Sequence, residues 1–288
     1  MELKYLFNIN LEGKYFLSKN YVNISRSPFI KNCIHILYCD LTLEGIIEQI
    51  VLDKLEAVKY KVLYIPEAQE IISFHQRRKI EYEVGFNILG KCELTDPEIT
   101  FGITKIEDKW IFGKCESNDR EWLQHDYKPF SYSNALKVNI SRALVNIAVG
   151  NNLKCTVIDP CCGIGTVLIE ALSMGIDIKG YEINPSIGTN AKENLLHFGY
   201  EDVITICDMS TTKDKFDVAI VDLPYGIFTK TTPVDQLAII ANTRRLANRM
   251  ILIAFDNMDA QVLSSNFTIE DKFIISKGKF KRLVSICT

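Results

Sequence analysis

The stretch Cys155-Thr156-Val157-Ile158-Asp159-Pro160-Cys161-Cys162-Gly163-Ile164-Gly165-Thr166 runs a short apolar segment into a turn containing proline and glycine, and a helical run, Val167 to Met174, follows at once. A strand that turns through glycines into a helix opens an α/β sheet, in which ligands bind beyond the carboxyl ends of the strands. The alternation repeats downstream. Ile178 to Tyr181, Val203 to Cys207, Val218 to Val221 and Met250 to Phe255 are strand expectations separated by helical segments, and a helix bearing Leu136, Ile140, Leu144 and Ile147 precedes them. That pattern predicts a parallel, doubly wound α/β sheet. Phe267 to Ser276 and Arg282 to Cys287 are joined by the Lys277-Gly278-Lys279 region, too short for a parallel crossover, so these two are expected to pair as an antiparallel hairpin.

Upstream the pattern is of another kind. Tyr5 to Phe16 reads as extended segments about a Gly13 turn, while Leu43, Ile46, Ile47, Ile50 and Val51 fall on one helix face that Asp40 or Thr42 can cap. After the β-rich Tyr60 to Ile65, a second helix is expected, with Ile80, Val84 and Ile88 spaced by four and Gly90 as its stop. Ile99, Phe101 and Ile103 then alternate at a period of two, turn at Glu107-Asp108-Lys109, and return through Trp110 and Phe112 as a hairpin. This is an α+β domain. The polar stretch from Glu116 to Lys128 reads as a linker, giving an expected division into residues 1–128 and 129–288.

Composition limits the function classes. The 288 residues carry 33 Lys+Arg and 36 Asp+Glu, a formal charge of −3, which argues against a protein that grips polyanions by bulk charge. The split is 17 basic to 20 acidic residues up to 128, and 16 to 16 beyond it. No stretch approaches the roughly 18 apolar residues of a membrane span, and Met1 to Phe16 lacks a leader pattern, so a cytoplasmic location is expected. Nine cysteines without a C-x-x-C pair give no metal site; Cys155 and Cys207, inside apolar runs, read as packing residues. His35, His75, His125 and His197 lie beside no nucleophile motif, and no G-x-S-x-G elbow is present, so hydrolase chemistry is unsupported and helix or surface roles suffice for them.

The strand ends carry the chemistry. Gly163 and Gly165 allow a ligand close to the backbone. Glu182, in Tyr181-Glu182-Ile183-Asn184 and 23 residues beyond Asp159, stands near the roughly 20-residue spacing at which a carboxylate accepts ribose hydroxyls. A nicotinamide fingerprint would need a third glycine where Leu168 stands. Cys207-Asp208-Met209 offers a carboxylate and a thioether to an adenine. Asp222-Leu223-Pro224-Tyr225-Gly226 ends the fourth strand beside the glycine loop.

At this last segment the chain resembles the S-adenosylmethionine-dependent methyltransferases of exocyclic amino groups, whose motif reads Asp or Asn, Pro, Pro, then Tyr or Phe. With Lys128-Pro129-Phe130-Ser131-Tyr132-Ser133-Asn134-Ala135-Leu136 and the helix Ser141 to Ala148 included, it resembles the THUMP-containing tRNA guanine-N2-methyltransferases over about residues 80–288. The resemblance implies a Rossmann-like methyltransferase sheet behind a smaller THUMP-like RNA-docking domain, and S-adenosylmethionine as cofactor. It implies a cofactor site of Ser133, Ala135, Asp159, Cys161, Gly163, Gly165, Thr166, Glu182, Ile183, Asp208, Met209 and Asp222, no metal, and catalysis by Asp222, Leu223, Pro224 and Tyr225. Leu223 departs from the usual Pro, although the chemistry asks that position only for a carbonyl, and the part of the RNA-docking module before residue 80 does not align.

An exocyclic amine is a poor nucleophile because its lone pair is delocalised into the ring. The Asp222 carboxylate and the Leu223 carbonyl can each accept one N–H and redirect that lone pair, while Tyr225 offers a stacking platform. For RNA contact the expected cations are Arg77, Arg78 and Lys79, and Lys277, Lys279, Lys281 and Arg282. An rRNA guanine-N2, N6-adenine or glutamine-amide enzyme, or a catalytically silent RNA-binding protein, shares the motif.

Overall fold

The computed structural model describes residues 1–11, 13–67, 70–225, 231–277 and 280–288. They form two compact units. One gathers Met1–Asn10, Ser18–Pro28 and Arg120–Thr288; the other comprises Leu11–Leu17 and Phe29–Asp119. The division thus falls at 119/120 instead of the expected 128, and the two N-terminal segments group with the C-terminal unit. Part of the expected extended N-terminus is helix α1 (Glu2–Phe7), held by the burial of Leu6 and Phe7 and closed by Asn8 in the left-handed conformation.

The smaller unit contains β1 (Asn32–Asp40), α2 (Leu43–Leu52), β2 (Glu56–Tyr64), α3 (Phe74–Phe86), β3 (Leu89–Cys92), β4 (Ile99–Ile106) and β5 (Lys109–Ser117), with sheet order β1-β5-β4-β2-β3. Thr42 caps α2 by accepting the Gly45 N–H, and Asp40 accepts the Thr42 N–H at 3.0 Å. The predicted β4–β5 hairpin is present, turning through Glu107 at φ 54°. Gly90 is not the helix stop. Helix α3 ends at Asn87, whereas Gly90 lies in β3 at φ 114°, where a Cβ would stand 2.1 Å from the Ala57 carbonyl oxygen.

The larger unit continues with a 3-10 segment (Glu121–Tyr127), α4 (Val138–Val149), β6 (Val157–Asp159), α5 (Thr166–Ser173), β7 (Ile178–Glu182), α6 (Pro185–His197) and β8 (Ile204–Ile206). Then follow β9 (Phe216–Asp222), α7 (Pro233–Leu246), β10 (Ala247–Ala254), α8 (Asp259–Ser264), β11 (Ile269–Lys277) and β12 (Phe280–Cys287). The seven strands run in the order β11-β12-β10-β9-β6-β7-β8. Those from β8 to β10 are parallel, and the β11–β12 hairpin joins antiparallel to β10, as its short link requires. The sheet is buried on both faces because neighbouring residues alternate between two cores: Val157, Val218, Ile220, Ile251 and Ile253 pack with α4 and α5, while Ile158, Ala219, Val221, Met250 and Leu252 pack with α7 and α8. This is a Rossmann-like α/β sheet. Its strand order reverses between β6 and β9, the place where such folds bind ligands.

From Arg120 onward, the expected linker is part of this unit, whereas Glu116 and Ser117 end β5. His125 is buried, its Nδ1 2.6 Å from Glu170 Oε1 on α5, and Arg142 Nη1 donates to Glu170 Oε2 at 2.9 Å. His125 is therefore no surface histidine. Among the described residues no helix is long and apolar enough to cross a membrane.

Candidate active site

A cleft of about 760 Å³ opens at the carboxyl ends of β6, β7, β8 and β9. Its floor is the loop from β6 to α5. Gly163 (φ 52°) and Gly165 (φ 80°) take left-handed conformations, which glycine adopts without strain. A Cβ on Gly163 would meet nothing within 4 Å and would occupy space now free beside the cleft. Gly165 does not line the cleft; it caps α5. Glu182, at the end of β7, accepts the Gly163 N–H at Oε2 (3.0 Å) and the Asn184 N–H at Oε1 (2.8 Å). Burial raises its pKa, opposed by these backbone hydrogen bonds. Ile183 lines the same wall.

Asp159, at the end of β6, accepts the Cys161 N–H at 3.2 Å. Burial, followed by the charges of Asp222 and Glu182, pushes its carboxyl up to about 8 against that hydrogen bond. Burial also raises the Cys161 and Cys162 thiols well above the ordinary value, so both stand as neutral, inert wall groups. Beyond β8, Asp208 accepts the Ser210 N–H at 2.8 Å and Met209 is buried against the cleft. Cys207, read from sequence as a packing residue, also faces the cleft. Ser133 and Ala135 line it from the segment before α4. Asn194 ties that segment to the glycine loop, donating to the carbonyls of Phe130 (3.0 Å) and Ile164 (2.9 Å) and accepting the Phe130 N–H (2.9 Å). No motif pointed to Asn194.

The far wall is the end of β9. Asp222, Pro224 and Tyr225 line the cleft, whereas the Leu223 side chain is 1% exposed, packed in the core, and its N–H donates to the Ile253 carbonyl at 2.9 Å. Gln236 Nε2 donates to the Pro224 carbonyl at 3.1 Å. Arg282 Nη1 donates to Asp222 Oδ2 at 2.9 Å, and its Nη2 donates to the Asn134 carbonyl and the Tyr225 hydroxyl. The Tyr225 hydroxyl donates to the Asn134 carbonyl at 3.1 Å, and its ring meets Phe255 edge to face at 4.1 Å. Burial raises Asp222 to about 6, with Arg282 holding it down, and raises the Tyr225 hydroxyl to about 12.

Two wall oxygens, Thr166 Oγ1 and Asp222 Oδ1, are buried with no hydrogen-bond partner among the described residues. Buried polar atoms are ordinarily paired, so these two fit a ligand that brings donors or acceptors.

The predicted RNA cations fare differently. Arg282 is buried and paired, so it is not a surface cation; its place in a lysine-rich run concealed an inward register. Lys281 is exposed; Lys279 and the side chain of Lys277 lie outside the described residues, as does Gly226. On α3, Arg78 and Lys79 pair with Glu81 and Glu83 at 2.7 and 3.6 Å, and Arg77 is half-buried. Arg245 donates to the carbonyls of Thr212, Met209 and Ser210, a structural use of a basic group. Among the described residues no group of three or more His, Cys, Asp or Glu side chains could hold a metal.

Residues 125–249 match the family model described as RMKL-like, methyltransferase domain. A tRNA (guanine(10)-N2)-dimethyltransferase of Methanothermobacter thermautotrophicus is 34% identical over 109 residues, 36% of this chain and 32% of that protein. The protein of the same name from Pyrococcus abyssi is 35% identical over 117 residues, 38% of this chain and 34% of that protein. The chain thus spans about a third of the length of these curated relatives. The crystal structure of TrmN from Thermus thermophilus aligns with 94% of this chain and 87% of its own, at 14% identity and a TM-score of 0.48.

Proposed function

We propose, from the match of residues 125–249 to the RMKL-like methyltransferase domain model, that the protein methylates guanine N2 in tRNA, using S-adenosylmethionine bound in the β6–β9 cleft. The observation that carries this reading is the Asp222 carboxylate, which lines the cleft: one oxygen is anchored by Arg282 and the other is buried with no hydrogen-bond partner among the described residues. Such an oxygen is an acceptor waiting for an N–H.

The cofactor supplies a methyl group on cationic sulfur, so no metal is needed to make the group transferable. Glu182 would accept ribose hydroxyls, its oxygens already oriented by the Gly163 and Asn184 N–H groups. Gly163 leaves room for the amino-acid tail, and Met209 with Ile183 supplies apolar contact for the adenine. On the other side, Asp222 Oδ1 would accept one N–H of the target amine and the Leu223 carbonyl the second, turning the nitrogen lone pair toward the methyl group. As positive charge develops on nitrogen, Asp222 stabilises it and then takes up or relays the proton. Tyr225 holds the base by stacking, worth on the order of 1 to 3 kcal/mol, and a base within a stem is first flipped out. Lys281, Lys277, Lys279 and the Arg77-Arg78-Lys79 run remain the proposed RNA contacts, the smaller unit the proposed THUMP-like docking domain, and the cytoplasm the proposed location.

The experiment is methyl transfer to tRNA followed by nucleoside mass spectrometry, with Asp222→Ala beside the native protein. The expected product is N2-methylated guanosine. Transfer should fall by on the order of 100-fold or more in the variant, with cofactor affinity kept. A native protein yielding no methylguanosine in any tRNA, or only N6-methyladenosine, sinks the assignment.

A further inference from the structure

We propose that Arg282 is a positioning residue for methyl transfer: a single guanidinium on the last strand anchors one oxygen of Asp222, fixes Tyr225, and leaves only the second Asp222 oxygen for the amine. The inference rests on the reading of Asp222 as amine acceptor. Arg282 stands among lysines, yet it is 7% exposed whereas its neighbour Lys281 is exposed, because successive residues of β12 point to opposite faces.

Its contacts come from four separate parts of the unit. Nη1 donates to Asp222 Oδ2 at 2.9 Å, at the end of β9. Nη2 donates to the Tyr225 hydroxyl beyond β9 and to the Asn134 carbonyl in the segment before α4. The guanidinium carbon also lies 5.0 Å from the Tyr225 ring centroid and 5.4 Å from that of Phe255, just past β10. A planar cation with fixed donors can hold a carboxylate and a phenol in one arrangement; a lysine ammonium cannot reproduce that geometry.

Two consequences follow for the reaction. With Oδ2 bound, Asp222 cannot rotate freely, so Oδ1 is presented to the amine in one orientation. The guanidinium charge also keeps a buried carboxylate in its accepting, ionised form. The groups facing Asp222 are Arg282 from β12, Tyr225 from its own loop, and Asp159 and Cys161 from the end of β6; Arg282 is the group among them that opposes the effect of burial on Asp222.

The test compares native protein, Arg282→Gln and Arg282→Lys by the pH profile of kcat/KM and by carbon-13 NMR titration of the aspartate carboxylates, with Asp222→Asn assigning the resonance. In Arg282→Gln the Asp222 titration and the acidic limb of the profile should move to higher pH. Transfer at neutral pH should drop at least tenfold and recover partly in alkaline buffer, with cofactor affinity unchanged. The Asp159 resonance should not follow Asp222 upward. Arg282→Lys should restore the titration while kcat stays low, because the charge returns without the forked contacts. An Asp222 titration that stays in place in Arg282→Gln, or a pH profile identical to the native one, overturns the proposal. Should Arg282→Gln fail to fold, the lysine variant decides: native kcat there refutes positioning. If the native protein methylates no RNA, the methyltransferase reading fails by itself, and the carboxylate titration still reports whether Arg282 governs Asp222.

Discussion

Position 223 shows how one residue serves fold and site through different atoms. Its N–H extends the β9–β10 ladder to Ile253, its side chain fills the core, and its carbonyl belongs to the proposed amine site. Proline there would remove the donor and leave the Ile253 carbonyl without that partner. Leu223→Pro should therefore destabilise by about 1 to 3 kcal/mol, read by urea unfolding, yet retain measurable methyl transfer because the carbonyl survives. Two glycines give a second contrast. Gly163 faces open space, so Gly163→Ala should weaken cofactor binding at least tenfold in calorimetry, with about 1 to 2 kcal/mol of backbone strain. Gly90 faces the Ala57 carbonyl, so the same change there should unfold the smaller unit and leave cofactor binding intact. Sequence alone placed the first glycine in a turn after an apolar strand, where its φ is 52°. It misread the second, because a glycine following a helical pattern looks like a stop whether or not a neighbouring strand presses on it.

Among the elements, those built on apolar periodicity were readable: β4–β5, the parallel strands and the last hairpin all appear where period and link length place them. The segment from Glu121 to Tyr127 was not, because its polar residues look solvated until their partners are known. Those partners lie far along the chain. Glu170 of α5 is fully buried between His125 and Arg142, and α5 starts from the glycine loop of the cleft. Removing the carboxylate strands a buried guanidinium. Glu170→Ala should cost about 3 to 5 kcal/mol, and Glu170→Gln less, since an amide oxygen can still accept from Arg142. Chemical denaturation of both variants checks this, and equal losses would show that the charge both variants remove, and not the acceptor and packing that glutamine keeps, sets the cost.

Across the molecule, the larger unit is discontinuous in sequence, which no local pattern announces. Its N-terminal segments are bound through a buried polar network. Asn146 Nδ2 donates to Glu2 Oε1 (2.6 Å) and to the Arg26 carbonyl (2.8 Å), Ser27 Oγ donates to Glu2 Oε2 (2.8 Å), and Arg26 Nη2 donates to Asn146 Oδ1 (3.0 Å) and the Gly150 carbonyl (2.8 Å). Glu2 and Arg26 lie 144 and 120 residues from Asn146, so the linear sequence shows them as unrelated to it. Arg26→Ala removes two hydrogen bonds and the charge that favours ionised Glu2, a loss of about 2 to 4 kcal/mol. The size should depend on pH, with a definite sign. Burial raises the pKa of Glu2 above its ordinary value and Arg26 opposes that rise, so the folded state binds more protons than the unfolded one between the two pKa values, and stability falls as pH increases through that window. Without Arg26 the folded-state pKa is higher still and the decline extends further. Urea unfolding in acidic and in neutral buffer should therefore show a larger deficit for Arg26→Ala at neutral pH, and a deficit equal at both would mean that the arginine acts through its hydrogen bonds and not through the Glu2 charge.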